Sequence, residues 1–291
     1  MRRTEWYASA QSLDSLDLAK NTRPQKNWKT MPIKILFVGD IIGKPGRQAL
    51  SRELHRLVDR HAVDIVIANG ENAAGGFGLT VEVAKELFNQ GVNLLTSGNH
   101  IWDKKEQVTQ VLADARIVRP ANYPAGAPGV GSAILTTPGG VKVGVLNLEG
   151  RVYMKSIECP FLVADREIEW LKKETSIIFV DFHAEATSEK SALGWYLDGR
   201  VSAIVGTHTH VQTADERILP QGTAFLTDAG MTGGFDSVIG MGKEETIHRF
   251  LTQLPSKFEV AKKDIRLNAV VIGVDEASGK AVSIERINMA C

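Results

Sequence analysis

From Ile33 onward the chain repeats one pattern: a short run of consecutive apolar residues, a polar or glycine-containing exit, then a stretch with apolar positions three and four apart. The apolar runs predict strands over 33–38, 63–68, 92–96, 132–136, 141–147, 176–181, 201–206, 223–227, 267–274 and 281–287. The intervening periods predict helices over 46–60, 80–90, 103–114, 164–174, 187–198 and 243–253. Runs such as Ile65-Val66-Ile67-Ala68 and Ile177-Ile178-Phe179-Val180 are apolar on both strand faces, which is the signature of central strands covered on both sides. The last two strands alternate more strongly and read as antiparallel. Two packed sheets with helices outside satisfy this pattern as a single α/β domain over residues 31–291.

Residues 1–30 break the pattern. They hold no strand-like run, and only a short amphipathic stretch near Leu13–Leu18, so they read as an N-terminal extension or a start-site artefact. The extension also changes the charge. The full chain of 291 residues carries 34 Lys+Arg against 34 Asp+Glu, whereas residues 31–291 alone carry about −3 by the same counting. Neither value suits broad electrostatic binding of nucleic acid or membrane, and a small-molecule ligand fits better. Two cysteines, Cys159 and Cys291, cannot build a disulfide framework or a thiolate metal site. With no apolar run of membrane-spanning length and no signal-peptide core, the expectation is a cytoplasmic protein.

In layered α/β proteins ligands bind beyond the carboxyl ends of strands, so the residues leaving each run carry the chemical information. Strand 33–38 exits into Gly39-Asp40, strand 63–68 into Asn69-Gly70-Glu71-Asn72, and strand 92–96 into Gly98-Asn99-His100. Further on, 176–181 leads to Phe182-His183-Ala184-Glu185, 201–206 to Thr207-His208-Thr209-His210, and 223–227 to Asp228-Ala229-Gly230. Four of the seven histidines lie at these exits. Carboxylates, amides and imidazoles without sulfur favour Mn, Fe, Zn or Co. The His208-x-His210 spacing puts two imidazoles on one side of an extended chain, suited to a pair of neighbouring ions.

This ordered set resembles the calcineurin-like metallophosphoesterases, and more closely their YmdB-like bacterial branch. The resemblance rests on Gly39-Asp40-Ile41-Ile42-Gly43, Asn69-Gly70-Glu71-Asn72-Ala73-Ala74-Gly75, Gly98-Asn99-His100-Ile101-Trp102, Asp181-Phe182-His183-Ala184-Glu185, Gly206-Thr207-His208-Thr209-His210 and Thr227-Asp228-Ala229-Gly230. It spans about residues 31–288. The superfamily's usual Asp-x-His is here Asp40-Ile41-Ile42, and its usual Gly-Asp is Gly70-Glu71, both forms expected of the YmdB-like branch.

The resemblance implies the four-layer metallophosphoesterase fold and two divalent ions, Fe or Mn first and Zn as an alternative. One ion would take Asp40, Glu71, Asn72 and His210, and the other Glu71, Asn99, His183 and His208, with Glu71 bridging. It also implies 2',3'-cyclic-nucleotide 2'-phosphodiesterase activity, with attack by a metal-bridging hydroxide and His100 as general acid. The alternatives are a phosphomonoesterase with the same centre and a metal- or nucleotide-sensing regulator with slow turnover. The expected partner is a small phosphodiester, with no stable nucleic-acid partner, no membrane, and possible homo-oligomerisation.

Other features read more plainly. Gly39–Pro45 lacks the spacing and the Ser/Thr of a P-loop. Glycines 75, 76 and 78 mark a turn or a substrate-facing loop. His55, His61 and His248 read as solvated helix positions, Asp228 as a structural cap, and Arg119, Arg151 and Lys155 as secondary candidates for phosphate contact.

Overall fold

The computed structural model describes residues 31–291, and the expectations for residues 1–30 lie outside the described part. From Pro32 the chain forms one compact unit. The order is β1 (Ile33–Val38), β2 (Asp40–Ile41), α1 (Gly43–His61), β3 (Ile65–Asn69), α2 (Val81–Asn89), β4 (Leu94–Thr96), a 3₁₀ turn (Asn99–Trp102), α3 (Val108–Val111) and β5 (Ser132–Thr136). It continues with β6 (Lys142–Glu149), α4 (Pro160–Leu171), β7 (Ile178–His183), α5 (Thr187–Leu197), β8 (Ala203–Thr207), β9 (Arg217–Ile218), β10 (Ala224–Leu226), β11 (Met231–Gly234), α6 (Lys243–Thr252), β12 (Ile265–Val274) and β13 (Ala281–Ala290). One sheet runs β2-β11-β12-β1-β3-β4, with β13 added on β12; the other runs β5-β6-β7-β8-β10-β9.

The two sheets face each other through Ile35, Phe37, Ile67, Leu94, Val145, Phe179, Ala203 and Val205. Phe37 and Phe179 meet there with ring centroids 4.9 Å apart. The outer face of the first sheet is covered by α1 and α2 through Leu50, Leu54 and Leu87. The outer face of the second is covered by α4 and α5 through Val163, Ile168, Leu193 and Leu197. The expected two-sheet sandwich flanked by helices is the observed architecture.

Strand alternation positions the site. On β7, Ile178, Val180 and Phe182 join the helix-side core, so Phe179, Asp181 and His183 share the inter-sheet face. On β6, Val143 and Val145 face inward ahead of Asn147 and Glu149. On β3 and β8 the inward rows end in Asn69 and Thr207. The interface between the sheets is therefore apolar at its centre and polar where the parallel strands end.

Several sequence expectations shift. The helix expected over 103–114 shrinks to the single turn α3, because the 3₁₀ turn fixes the chain before it and the Asp103 carboxylate is spent on His100 rather than on a helix N-terminus. The helix expected at 164 begins at Pro160, whose fixed φ suits a first-turn position. Strands β2, β9 and β11 are too short to leave a periodic signal. The last two strands do pair antiparallel, whereas β10 pairs parallel with β8. No helix among the described residues is long and apolar enough to cross a membrane.

Candidate functional site

The strand exits of both sheets converge on Glu71. Its Oε1 lies 3.1 Å from His183 Nε2 and 3.2 Å from Asn72 Nδ2, and its Oε2 accepts the His100 main-chain N–H at 2.8 Å. His183 Nε2 is also 2.9 Å from Asn99 Oδ1 and 3.1 Å from His208 Nδ1. Ligand atoms of Glu71, His183 and His208 all fall within 4.8 Å of one another, a separation one metal ion could span. On the other side of Glu71, Asn72 Nδ2 is 3.3 Å from His210 Nε2, which is 3.9 Å from Asp40 Oδ1. Asp40, Glu71, Asn72, Asn99, His183, His208 and His210, singled out from the sequence, are thus brought together.

His100 stands at the rim, its side chain about a third exposed (31%). Its Nδ1 is paired with Asp103 Oδ2 at 2.8 Å and its ring edge meets Phe77 at 5.1 Å between centroids. Phe77 is carried by a turn in which Gly75, Gly76 and Gly78 all have positive φ, so the glycines serve the turn that brings Phe77 to His100.

The segment between β8 and β9 reaches the centre at a backbone cost. His208 and His210 have φ of 99° and 65°, a region that non-glycine residues seldom occupy. Asp228 anchors the segment: its Oδ2 accepts the Thr209 N–H at 3.2 Å and hydroxyl at 2.8 Å, and forms a buried ion pair with Lys190 at 2.6 Å. The cap expected of Asp228 is therefore this clamp.

The remaining sequence candidates separate. Arg119 is buried, donating to the carbonyls of Pro120 and Pro128 at 2.8 and 3.2 Å. Arg151 is exposed, its guanidinium 3.3 Å from Cys159 Sγ. Lys155 stands 6.0 Å from the centroid of Tyr123 and acts electrostatically on Glu149. His55 and His248 are exposed, but His61 is half-buried, 3.7 Å from Glu285. That corrects the solvated reading of His61: its position at the end of α1 places it against β13.

Electrostatics favour a cation at the centre. Burial pushes the Asp40 carboxyl up against the pull of His210 and His183. Burial also works against ionised Glu71, but the charge and hydrogen bond of His183 outweigh it and bring Glu71 down to about 2. His183 is opposed by burial and raised to about 9 by Glu71, Asp40 and Asp181, so a proton occupies the ring where positive charge is wanted. Burial and the charge of His183 depress His208 to about 3. Asp40 Oδ1 and Asn72 Oδ1 are buried without a hydrogen-bond partner. Two orphaned oxygens beside a cluster of acidic and imidazole groups fit a hard or borderline divalent ion.

Comparison with known proteins supplies the family. The sequence profile described as YmdB-like protein matches residues 36–287. The chain belongs to the YmdB-like family. Among curated YmdB-like relatives, the 2',3'-cyclic-nucleotide 2'-phosphodiesterase of Bacillus subtilis is 50% identical over 88% of this chain and 96% of its own. A putative phosphatase/phosphodiesterase of Mycoplasma genitalium is 38% identical over 88% of this chain and 93% of its own. Among solved structures, a hypothetical protein from Thermus thermophilus superposes with TM-score 0.83 at 43% identity, covering 89% of this chain and 99% of that one. A phosphatase from Mycoplasma pneumoniae gives TM-score 0.84 at 38% identity, with 89% and 94% coverage.

Glu149 is among the groups of this YmdB-like chain that are not singled out from the sequence. Glu149 ends β6 in register with His183 and is fully buried, its carboxyl beside the Tyr123 hydroxyl. Inward alternation from Val145 was the available signal. Burial raises its carboxyl to about 7 from 4.5, with His183 pulling the other way. A folded-state value above the unfolded one makes stability greatest below about pH 4.5 and lowers it as pH rises through 7. Replacing Glu149 with Gln is therefore expected to stabilise the metal-free protein at pH 8 by on the order of 3 kcal/mol. The gain should vanish by pH 4.5, as read from denaturant unfolding at both pH values.

Proposed function

We propose that this chain is a metal-dependent phosphoric diester hydrolase acting on cyclic nucleotides, 2',3'-cyclic ones first, through a dinuclear centre. The observation that carries the reading is the convergence of oxygen and nitrogen donors from the exits of both sheets on the buried carboxylate of Glu71. The name of the 50% identical Bacillus subtilis relative gives the reading its substrate class.

Asp40, Glu71, Asn72 and His210 would hold one ion, and Glu71, Asn99, His183 and His208 the other. Divalent ions bound there would polarise a phosphoryl oxygen and lower the pKa of water towards neutrality. The two carboxylates offset only part of the charge of two such ions, so the centre stays attractive to a phosphodiester monoanion. His100 supplies what the ions do not, a proton for the departing alkoxide. Asp103 fixes the imidazole by its Nδ1, so Nε2 is the atom available to the leaving oxygen. Fe and Mn suit the donor set best, with Zn next.

Incubation of manganese- or iron-loaded protein with a 2',3'-cyclic nucleotide, an unstrained diester and a monoester tests the reading by chromatography of the products. The expected result is fastest turnover of the cyclic substrate with a 3'-phosphate product. Hydrolysis of the monoester alone would transfer the assignment to a phosphomonoesterase, an activity that the phosphatase/phosphodiesterase wording of the Mycoplasma relatives also covers.

A further inference from the structure

Beneath His183 lies a chain of hydrogen bonds that reaches both sheets. Thr207 is fully buried, with its Oγ1 2.7 Å from Asp181 Oδ1 and 2.9 Å from His183 Nδ1. The second Asp181 oxygen receives the Thr96 hydroxyl at 2.5 Å and the Asn69 amide at 3.2 Å. The arrangement follows from the sheet itself: Asp181 and His183 are two apart on the inward face of β7, and Thr207 is the register partner of His183 on β8.

The protons in this chain can be counted. In its ionised form Asp181 accepts from each of the donors around it, Thr207, Thr96 and Asn69. A hydroxyl has one proton, and that of Thr207 goes to Asp181, leaving a lone pair towards His183. Nδ1 of His183 must then be the donor, and in the neutral ring Nε2 carries the lone pair. That lone pair points at Asn99 Oδ1, Glu71 Oε1 and His208 Nδ1, within 2.9–3.1 Å. His210 is fixed in the same sense by a simpler device: its Nδ1 is 2.9 Å from the Ile239 carbonyl, which can only accept.

We propose that Thr207 and Asp181 are positioning residues for the metal centre, holding His183 as the tautomer whose Nε2 faces the ion. The proposal rests on the metal-site reading above. Asp181 makes no hydrogen bond to a ligand atom of the site and reaches His183 through the Thr207 hydroxyl and by its charge, in the way that outer partners of metal-bound histidines fix ring orientation and ligand basicity.

The test compares wild type with Thr207→Val, Thr207→Ser and Asp181→Asn by calorimetric titration with Mn²⁺, after thermal melting shows which variants fold. Thr207→Val and Asp181→Asn should weaken one of the two Mn²⁺ sites, the one that takes His183, by about 10- to 100-fold, while Thr207→Ser, which keeps the hydroxyl, stays within about threefold of wild type. Long-range ¹H–¹⁵N spectra of the zinc-loaded protein should show His183 protonated at Nδ1 in wild type and the serine variant, with that proton exchanging rapidly in Thr207→Val. Wild-type affinity in Thr207→Val, or an Nε2–H tautomer in wild type, overturns the proposal. Should wild type bind no divalent ion, the metal-site reading fails and the proposal with it. The tautomer of the neutral ring, read in metal-free protein at alkaline pH, would then show whether the hydrogen-bond chain itself stands. If Thr207→Val does not fold, Asp181→Asn and the serine variant still decide the matter.

Discussion

Replacing His100 with Ala is expected to lower kcat on a 2',3'-cyclic nucleotide by about 10²- to 10⁴-fold while leaving the bound metal unchanged. The two halves of this expectation have separate structural reasons. The contact of His100 with Glu71 is made by the main-chain N–H, so alanine preserves it and the proposed metal ligands keep their positions. What disappears is the ring held by Asp103 at the rim, the only imidazole of the cluster assigned to no ion. A general acid matters most when the leaving group is poor. The loss should therefore be larger for an unstrained alkyl diester than for a nitrophenyl ester, whose leaving oxygen needs little help. Equal losses across leaving groups would assign His100 to substrate binding, and loss of metal in the variant would make it a ligand.

Gly98→Ala should have a comparable effect by a different route. A Cβ built on Gly98 would overlap the imidazole of His183, so the ring or the β4 exit must move. The ring is poorly placed to yield, because Thr207 holds its inner nitrogen and Glu71, Asn99 and His208 surround the outer one. A displacement of about 1 Å at such a centre can cost on the order of 10²-fold in rate. Overpacking of a buried site adds a stability loss of about 1–3 kcal/mol. Metal content, kcat and melting temperature should all fall in Gly98→Ala, which distinguishes it from His100→Ala. A Gly98→Ala protein with wild-type metal content would show that His183 is not constrained as described.

The fold is largely readable because its central strands are apolar on both faces and the outer helices α1, α2 and α4 keep a 3.6-residue period, whereas α5 turns Glu189 and Lys190 inward. Boundaries shift towards the site: the apolar runs end before His183 and Thr207, which are the last residues of β7 and β8. Short elements were invisible. β2 is two residues long and β11 four, and their pairing beside Asp40 depends on contacts distant in sequence. At the site, the residues that converge on Glu71 could be named because each follows an apolar run. Their supports could not. Asp181 lies inside a strand, where its polarity signals a partner but not which one, and Thr207 acquires its role from the register between β7 and β8. Lys190, on α5, becomes part of the clamp on Asp228 only through tertiary packing. Asp103 was hidden in a helix expectation that the 3₁₀ turn overrode.

The donors gathered on Glu71 are proposed to hold a pair of divalent ions. Metal analysis by mass spectrometry tests this most directly, on protein loaded with manganese, freed of excess ion, and compared with a Glu71→Ala variant prepared in parallel. About two ions per wild-type chain are expected, the stoichiometry of a two-metal phosphoesterase centre, and at most a small residue in the variant. Wild-type protein retaining no ion, or a variant retaining as much as wild type, would contradict it.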